Sequence, residues 1–149
     1  MAWKVFVVDD DRMLVEMLRI YLGQCGCEVA AESEDFRDVL SRIEAFSPDM
    51  VLLDIRLPGT DGVRILGEIK KKGTQAQVIM MSSDGSQQTK LRCAKLGAAA
   101  YVMKPFDLYQ LELTLTYVAE KQGLKWQRGF YCSRQPAGSG ESSGPDPQS

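Results

Sequence analysis

Four continuous apolar runs punctuate the chain: Val5-Phe6-Val7-Val8, Met50-Val51-Leu52-Leu53, Val78-Ile79-Met80-Met81 and Ala99-Ala100-Tyr101-Val102-Met103. Runs of this length without polar alternation suit strands covered on both faces. A fifth, weaker segment from Cys27 to Ala31 carries β-branched Val29 at its centre and reads as another short strand. Between the runs the spacing changes to the helical period. Leu14, Met17, Leu18 and Tyr21 form one face, ended by Gly23 and Gly26; Phe36, Val39, Leu40 and Ile43 form a second, stopped by Ser47-Pro48. Val63, Leu66 and Ile69 follow Gly62, with Lys70, Lys71 and Lys72 as a solvated C-terminal end. Leu108, Leu111, Leu115 and Val118 mark the last helix, ending near Gly123. Residues Gln87 to Leu96 also read as helical, with only Leu91, Ala94 and Leu96 as apolar members, an anchoring weak enough to let the helix shift.

Five strands alternating with five helices predict an α/β fold, with parallel pairing, right-handed crossovers and helices on both faces of an open sheet. The alternation covers residues 1–123, expected to be one domain. Residues 124–149 form a C-terminal extension, in which Trp126, Phe130 and Tyr131 offer a short hydrophobic anchor. From Ser133 to Ser149, 11 of 17 residues are Ser, Gly or Pro, a composition that predicts disorder from about residue 133.

Charge narrows the partners. A net charge of -2 and a pI near 5.2 argue against direct nucleic-acid binding, which needs a basic face. No apolar run approaches the roughly 20 residues of a membrane span, and the chain enters a strand at once without a signal peptide, so a cytoplasmic location is expected. The chain has no histidine, which removes Ser-His and Cys-His catalytic schemes and any phosphohistidine of its own. Of the four cysteines, Cys25-Gly26-Cys27 is too closely spaced for the usual zinc loop, and buried or incidental thiols are the better reading for all.

In open α/β sheets, chemistry collects at the carboxyl ends of the strands. The first strand here ends in Asp9, Asp10 and Asp11, the third in Asp54, the fourth in Ser82 and the fifth in Lys104. Read singly, the acids have a plain role: Asp9 to Asp11 as a solvated helix cap, Asp54 as the cap of a turn before Pro58-Gly59. Gathered at one end of the sheet, three carboxylates repel by a few kcal/mol per close pair and call for a cation. Oxygen ligands suit Mg²⁺, or Mn²⁺, which needs few carboxylates and keeps several waters. A carboxylate can also act as nucleophile toward phosphorus, while a lysine and a hydroxyl neutralise and hydrogen-bond the phosphoryl oxygens.

With those residues in place, the chain resembles the receiver domain of bacterial two-component response regulators. The resemblance rests on Val8-Asp9-Asp10-Asp11, Asp54 through Pro58 to Asp61-Gly62, Ser82-Ser83, Gly97-Ala98 and Tyr101 through Lys104-Pro105-Phe106. Each motif is weak alone; together, in order over roughly residues 3 to 122, they are specific. The resemblance implies a doubly wound, flavodoxin-like sheet of strand order 2-1-3-4-5. It also implies a phosphoacceptor at Asp54, served by a histidine kinase or histidine phosphotransfer protein. Asp9, Asp10 and Asp54 would hold Mg²⁺, with the backbone carbonyl of Arg56 completing the site. Lys104 would pair with the phosphate, and the Lys104-Pro105 bond would be cis. Ser82 and Tyr101 would be the switch residues: with phosphate at Asp54, Ser82 reaches it and Tyr101 turns inward, changing the face of the fourth helix, fifth strand and last helix. For Tyr101 the plain alternative is strand packing with its hydroxyl at the surface. Such a domain is no enzyme beyond catalysing its own phosphorylation and dephosphorylation.

Two positions the family varies, Arg56 and Asp84, carry opposite charge on loops beside the phosphate, and an ion pair across its entrance is expected. Two rivals remain. A metal-dependent phosphatase or phosphotransferase would carry a second acid where Arg56 stands. A receiver-like interaction module independent of phosphorylation would not need Asp9, Asp10, Asp54, Ser82 and Lys104. Residues 123–149 are too short and polar for an output domain, so a stand-alone receiver or a piece lacking its output part is expected. Homodimerisation through the last helix and its neighbours rests on family analogy alone.

Overall fold

The computed structural model describes residues 3–123, 125–127 and 131–133. Five parallel strands form its sheet: β1 (Lys4–Val8), β2 (Glu28–Glu32), β3 (Met50–Asp54), β6 (Gln77–Ser82) and β7 (Ala100–Met103), in the order β2-β1-β3-β6-β7. Counting these five alone, the order is 2-1-3-4-5, the flavodoxin-like arrangement. Helices α1 (Arg12–Gln24), α2 (Val39–Phe46), α3 (Gly62–Lys71), α4 (Gln87–Lys95) and α5 (Leu108–Lys121) make the crossovers.

The apolar runs are continuous because each strand feeds two cores. Val5, Val7, Leu52, Ile79 and Met81 point to one side, where they meet Leu18 and Leu22 of α1 and Leu111 and Leu115 of α5. Phe6, Val8, Val51, Leu53, Val78 and Met80 point to the other, against α2, α3 and Cys93 of α4. Side chains alternate with period two along a strand, so a strand covered on both faces needs apolar residues at every position. Cys25, Cys27 and Cys93 are all buried.

Several local expectations change. Phe36 is buried but precedes α2, which begins at Val39 and ends on Ser47 in the left-handed region, φ 52°. The lysine cluster after α3 divides: Lys70 reaches back to the Ala76 carbonyl at 3.3 Å, Lys72 pairs with Glu44 at 3.0 Å, and Lys71 is exposed. The Pro58-Gly59 turn closes a small antiparallel pair, β4 (Arg56–Leu57) with β5 (Thr60–Asp61). After α5, β8 (Lys125–Gln127) pairs antiparallel with β9 (Tyr131–Ser133) and lies against α5. Trp126 and Tyr131 therefore sit in a hairpin that periodicity did not predict, and Ser133 is its last paired residue. Phe130 and the tail of residues 134–149, expected to be disordered, lie outside the described residues. No described helix is long and apolar enough to cross a membrane.

Candidate functional site

Register brings the chemistry together. Val8 pairs with Leu53, Asp54 with Met81 and Ser82 with Met103, so Asp9, Asp54, Ser82 and Lys104 emerge side by side at the carboxyl ends of β1, β3, β6 and β7. Backbone bonds extend the register past the strand ends: Ile55 N–H donates to Met81 O and Lys104 N–H to Ser82 O. The Lys104-Pro105 peptide is cis.

Asp9 is fully buried, Asp54 is 5% exposed and Asp10 is exposed, and one oxygen from each lies within 4.8 Å of the others. Asp9 Oδ1 accepts from the Asp11 N–H at 2.8 Å, and Asp54 Oδ1 from the Arg56 N–H at 3.2 Å. Lys104 Nζ stands 2.7 Å from Asp9 Oδ2 and 3.2 Å from Asp54 Oδ2. Apart from this ion pair, the buried Asp9 Oδ2 has no hydrogen-bond partner. Burial pushes the Asp9 carboxyl up to about 6, with Asp54 adding repulsion against the pull of Lys104 and the Asp11 N–H. Burial also acts to lower the Lys104 ammonium, but Asp9 and Asp54 outweigh it and raise its pKa. Asp11 serves the plain role considered for it, capping α1 through the N–H groups of Met13 and Leu14.

These groups fit a small hard cation. A buried carboxylate oxygen with no hydrogen-bond partner apart from its ion pair, beside two further carboxylates, is an all-oxygen set whose excess charge one lysine does not cancel. The residues Asp9, Asp10 and Asp54 suit Mg²⁺ or Mn²⁺.

Ser82, 2% exposed, does not touch Asp54 in this conformation; its Oγ accepts from the Asp84 N–H at 2.9 Å. Tyr101 is half-buried against the core under α2, α3 and α4, and its hydroxyl donates to the Asp84 backbone carbonyl. Burial raises the Tyr101 pKa, opposed by its Ser82 neighbour. The expected Arg56–Asp84 ion pair is not formed. Asp84 Oδ1 accepts from the Ser86 N–H and Oδ2 from the Thr89 hydroxyl, both at 2.9 Å, and Arg56 is exposed. The start of α4 out-competes a distant guanidinium because its donors are close and preoriented. Those bonds, the Ser86 N–H foremost, hold the Asp84 carboxyl below the usual range, with Arg56 a minor contributor.

Two further residues shape the site. A Cβ on Gly62 would lie 2.0 Å from the Asp54 carbonyl oxygen and 2.8 Å from Ile55 Cα, so only glycine lets α3 start directly against the Asp54 backbone. Asp61 caps that helix by accepting from the Val63 N–H at 2.9 Å. The sequence signal for both was an acid followed by glycine immediately before a helical run.

Comparison with known proteins agrees with this geometry. The profile of the response regulator receiver domain matches residues 5–116. The chain is 36% identical over 107 residues to the chemotaxis protein CheY of Bacillus subtilis (strain 168), covering 72% of this chain and 89% of that protein. It is 30% identical to the regulatory protein AtoC of Escherichia coli (strain K12), covering 90% of this chain but only 32% of that longer protein. Among solved structures, the BeF3-activated DrrB receiver domain superposes with a TM-score of 0.71 at 30% identity, covering 80% of this chain and 99% of that one. A strand order, a set of strand-end residues and these matches converge on one conclusion: the chain belongs to the response regulator receiver domain family of two-component systems.

Proposed function

We propose that the chain accepts a phosphoryl group on Asp54 from a histidine kinase or histidine phosphotransfer protein in the cytoplasm, and passes the signal on through a change of surface. The carrying observation is Asp54 at the buried end of β3, with the Lys104 ammonium at 3.2 Å and two further carboxylates close by. An Asp54 carboxylate oxygen forms the new O–P bond as the P–N bond of the donor's phosphohistidine breaks, the imidazole leaving with that electron pair and taking a proton. Lys104 neutralises phosphoryl oxygens, and the Ser82 hydroxyl turns to hydrogen-bond one of them. Mg²⁺, held by Asp9, Asp10, Asp54 and the Arg56 carbonyl, supplies charge neutralisation at the transferred group when bound. Ser82 and Tyr101 act as the switch residues. The chemistry is confined to the chain's own phosphorylation and dephosphorylation.

The test is incubation of the full chain with acetyl phosphate and Mg²⁺, followed by intact mass. A phosphoryl adduct on the native chain that is lost in Asp54→Asn and under EDTA is expected. An adduct insensitive to Asp54→Asn, or none at all, would sink the assignment and favour an interaction module that works without phosphate.

A further inference from the structure

One residue outside the phosphoryl chemistry ties three parts of the switch region together. Asp84 donates its N–H to Ser82 Oγ at 2.9 Å, and its carbonyl accepts the Tyr101 hydroxyl. Its carboxylate takes the Ser86 N–H and the Thr89 hydroxyl, each at 2.9 Å. Thr89 in turn receives the Ser86 hydroxyl at 2.9 Å and gives its N–H to Ser86 Oγ at 3.2 Å, so the first turn of α4 is closed around the Asp84 side chain. The rest of α4 has little else to hold it. Of its nine residues only Cys93 is buried, and Leu91 is 56% exposed.

We infer that Asp84 is a positioning residue. With Thr89 it forms a clasp that fixes the start of α4 to the loop holding the Ser82 and Tyr101 hydroxyls, and it thereby favours the conformer with Tyr101 turned inward. The inference rests on the receiver reading and extends it to what links the site to α4. Linkage makes it quantitative: if a phosphoryl group at Asp54 favours the same conformer, the clasp and the group strengthen one another to the same degree. Loosening the clasp must then weaken the binding of a phosphoryl mimic, although Thr89 starts its bond from inside the helix. An anion at this helix start also has the favourable dipole orientation.

The experiment uses the full chain and the variants Thr89→Val, Asp84→Ala and their double. Thr and Val are nearly isosteric, so Thr89→Val removes the hydroxyl and leaves the charge at residue 84. Two readouts are followed: beryllofluoride affinity in Mg²⁺ by fluorine NMR, and the alkylation rate of Cys93 by peptide mass without beryllofluoride. Each single variant is expected to weaken beryllofluoride binding about three- to ten-fold, the double no more than either, and Cys93 to be alkylated several-fold faster in all three. A shift with Asp84→Ala but none with Thr89→Val would overturn the clasp and make Asp84 a local charge effect. An unchanged Cys93 rate in Thr89→Val would overturn it as well. A native chain that fails to bind beryllofluoride would count against the receiver reading instead, and the Cys93 rates would still decide the clasp.

Discussion

Helices α3 and α4 cover the same face of the sheet with opposite degrees of attachment. In ten residues α3 buries Gly62, Val63, Ile65, Leu66 and Ile69; in nine, α4 buries Cys93 alone and leaves Leu91 in solvent, with Leu96 just after it also exposed. Each fully buried large aliphatic side chain contributes about 1.5–3 kcal/mol, so α3 is held several times more firmly. The difference follows what each helix adjoins. The start of α3 lies against the Asp54 backbone, where displacement would move the carboxylate, whereas the start of α4 adjoins Ser82 and Tyr101, the residues proposed as the switch.

Breaking the firm side should have the largest effect. Gly62→Ala drives a methyl into the Asp54 carbonyl and should cost at least as much as the roughly 2–5 kcal/mol expected of Leu66→Ala, measured by urea denaturation. Neither change has a counterpart of that size in α4. Next comes the acidic cluster at the strand ends. The folded-state pKa of Asp9 is raised from 3.8 to about 6, so its neutral form stabilises the metal-free fold below the unfolded value, and this stability is lost as pH rises through about 6. Asp9→Asn should abolish a loss on the order of 2–3 kcal/mol between about pH 4 and 6.5 in EDTA. Mg²⁺ affinity of the native chain should correspondingly fall below about pH 6. The smallest effect sharpens the comparison from the loose side: Leu91→Gln should change stability by less than about 0.5 kcal/mol, and a larger loss would show α4 anchored by more than Cys93.

The strands and the site were legible because both are written in short, local patterns. An apolar run ending in an acid, a hydroxyl or a lysine says where a strand stops, and parallel topology then places those ends together. What was illegible depended on choices among neighbours. Around α4, Leu91, Ala94 and Leu96 were the apolar members read from the sequence, yet Cys93 took the core position, since a weakly apolar helix does not declare which side it buries. Leu108 likewise sits at the helical spacing of α5 but is 40% exposed at its first turn. Opposite charge suggested an Arg56–Asp84 pair; the carboxylate instead bonded two donors within five residues of itself. The pairs β4–β5 and β8–β9 escaped because two or three residues are too few to show alternation.

Tyr101 stands on β7, the outermost strand of the order β2-β1-β3-β6-β7, with Met80 of β6 as its neighbour on one side and no strand beyond it among the described residues. Residues at a sheet's margin can reorient without dragging a second ladder. A turn of this ring therefore engages its hydroxyl's bonds to Asp84 and Ser82, the Lys90 ammonium 5.8 Å from its centroid and local packing, a cost of about 1–3 kcal/mol rather than a repacking of the sheet. Asp54, flanked by β1 and β6, has no such latitude. Asp54 thus stands in the stiff interior of the sheet and Tyr101 at its rim, where a ring can be moved at lower cost.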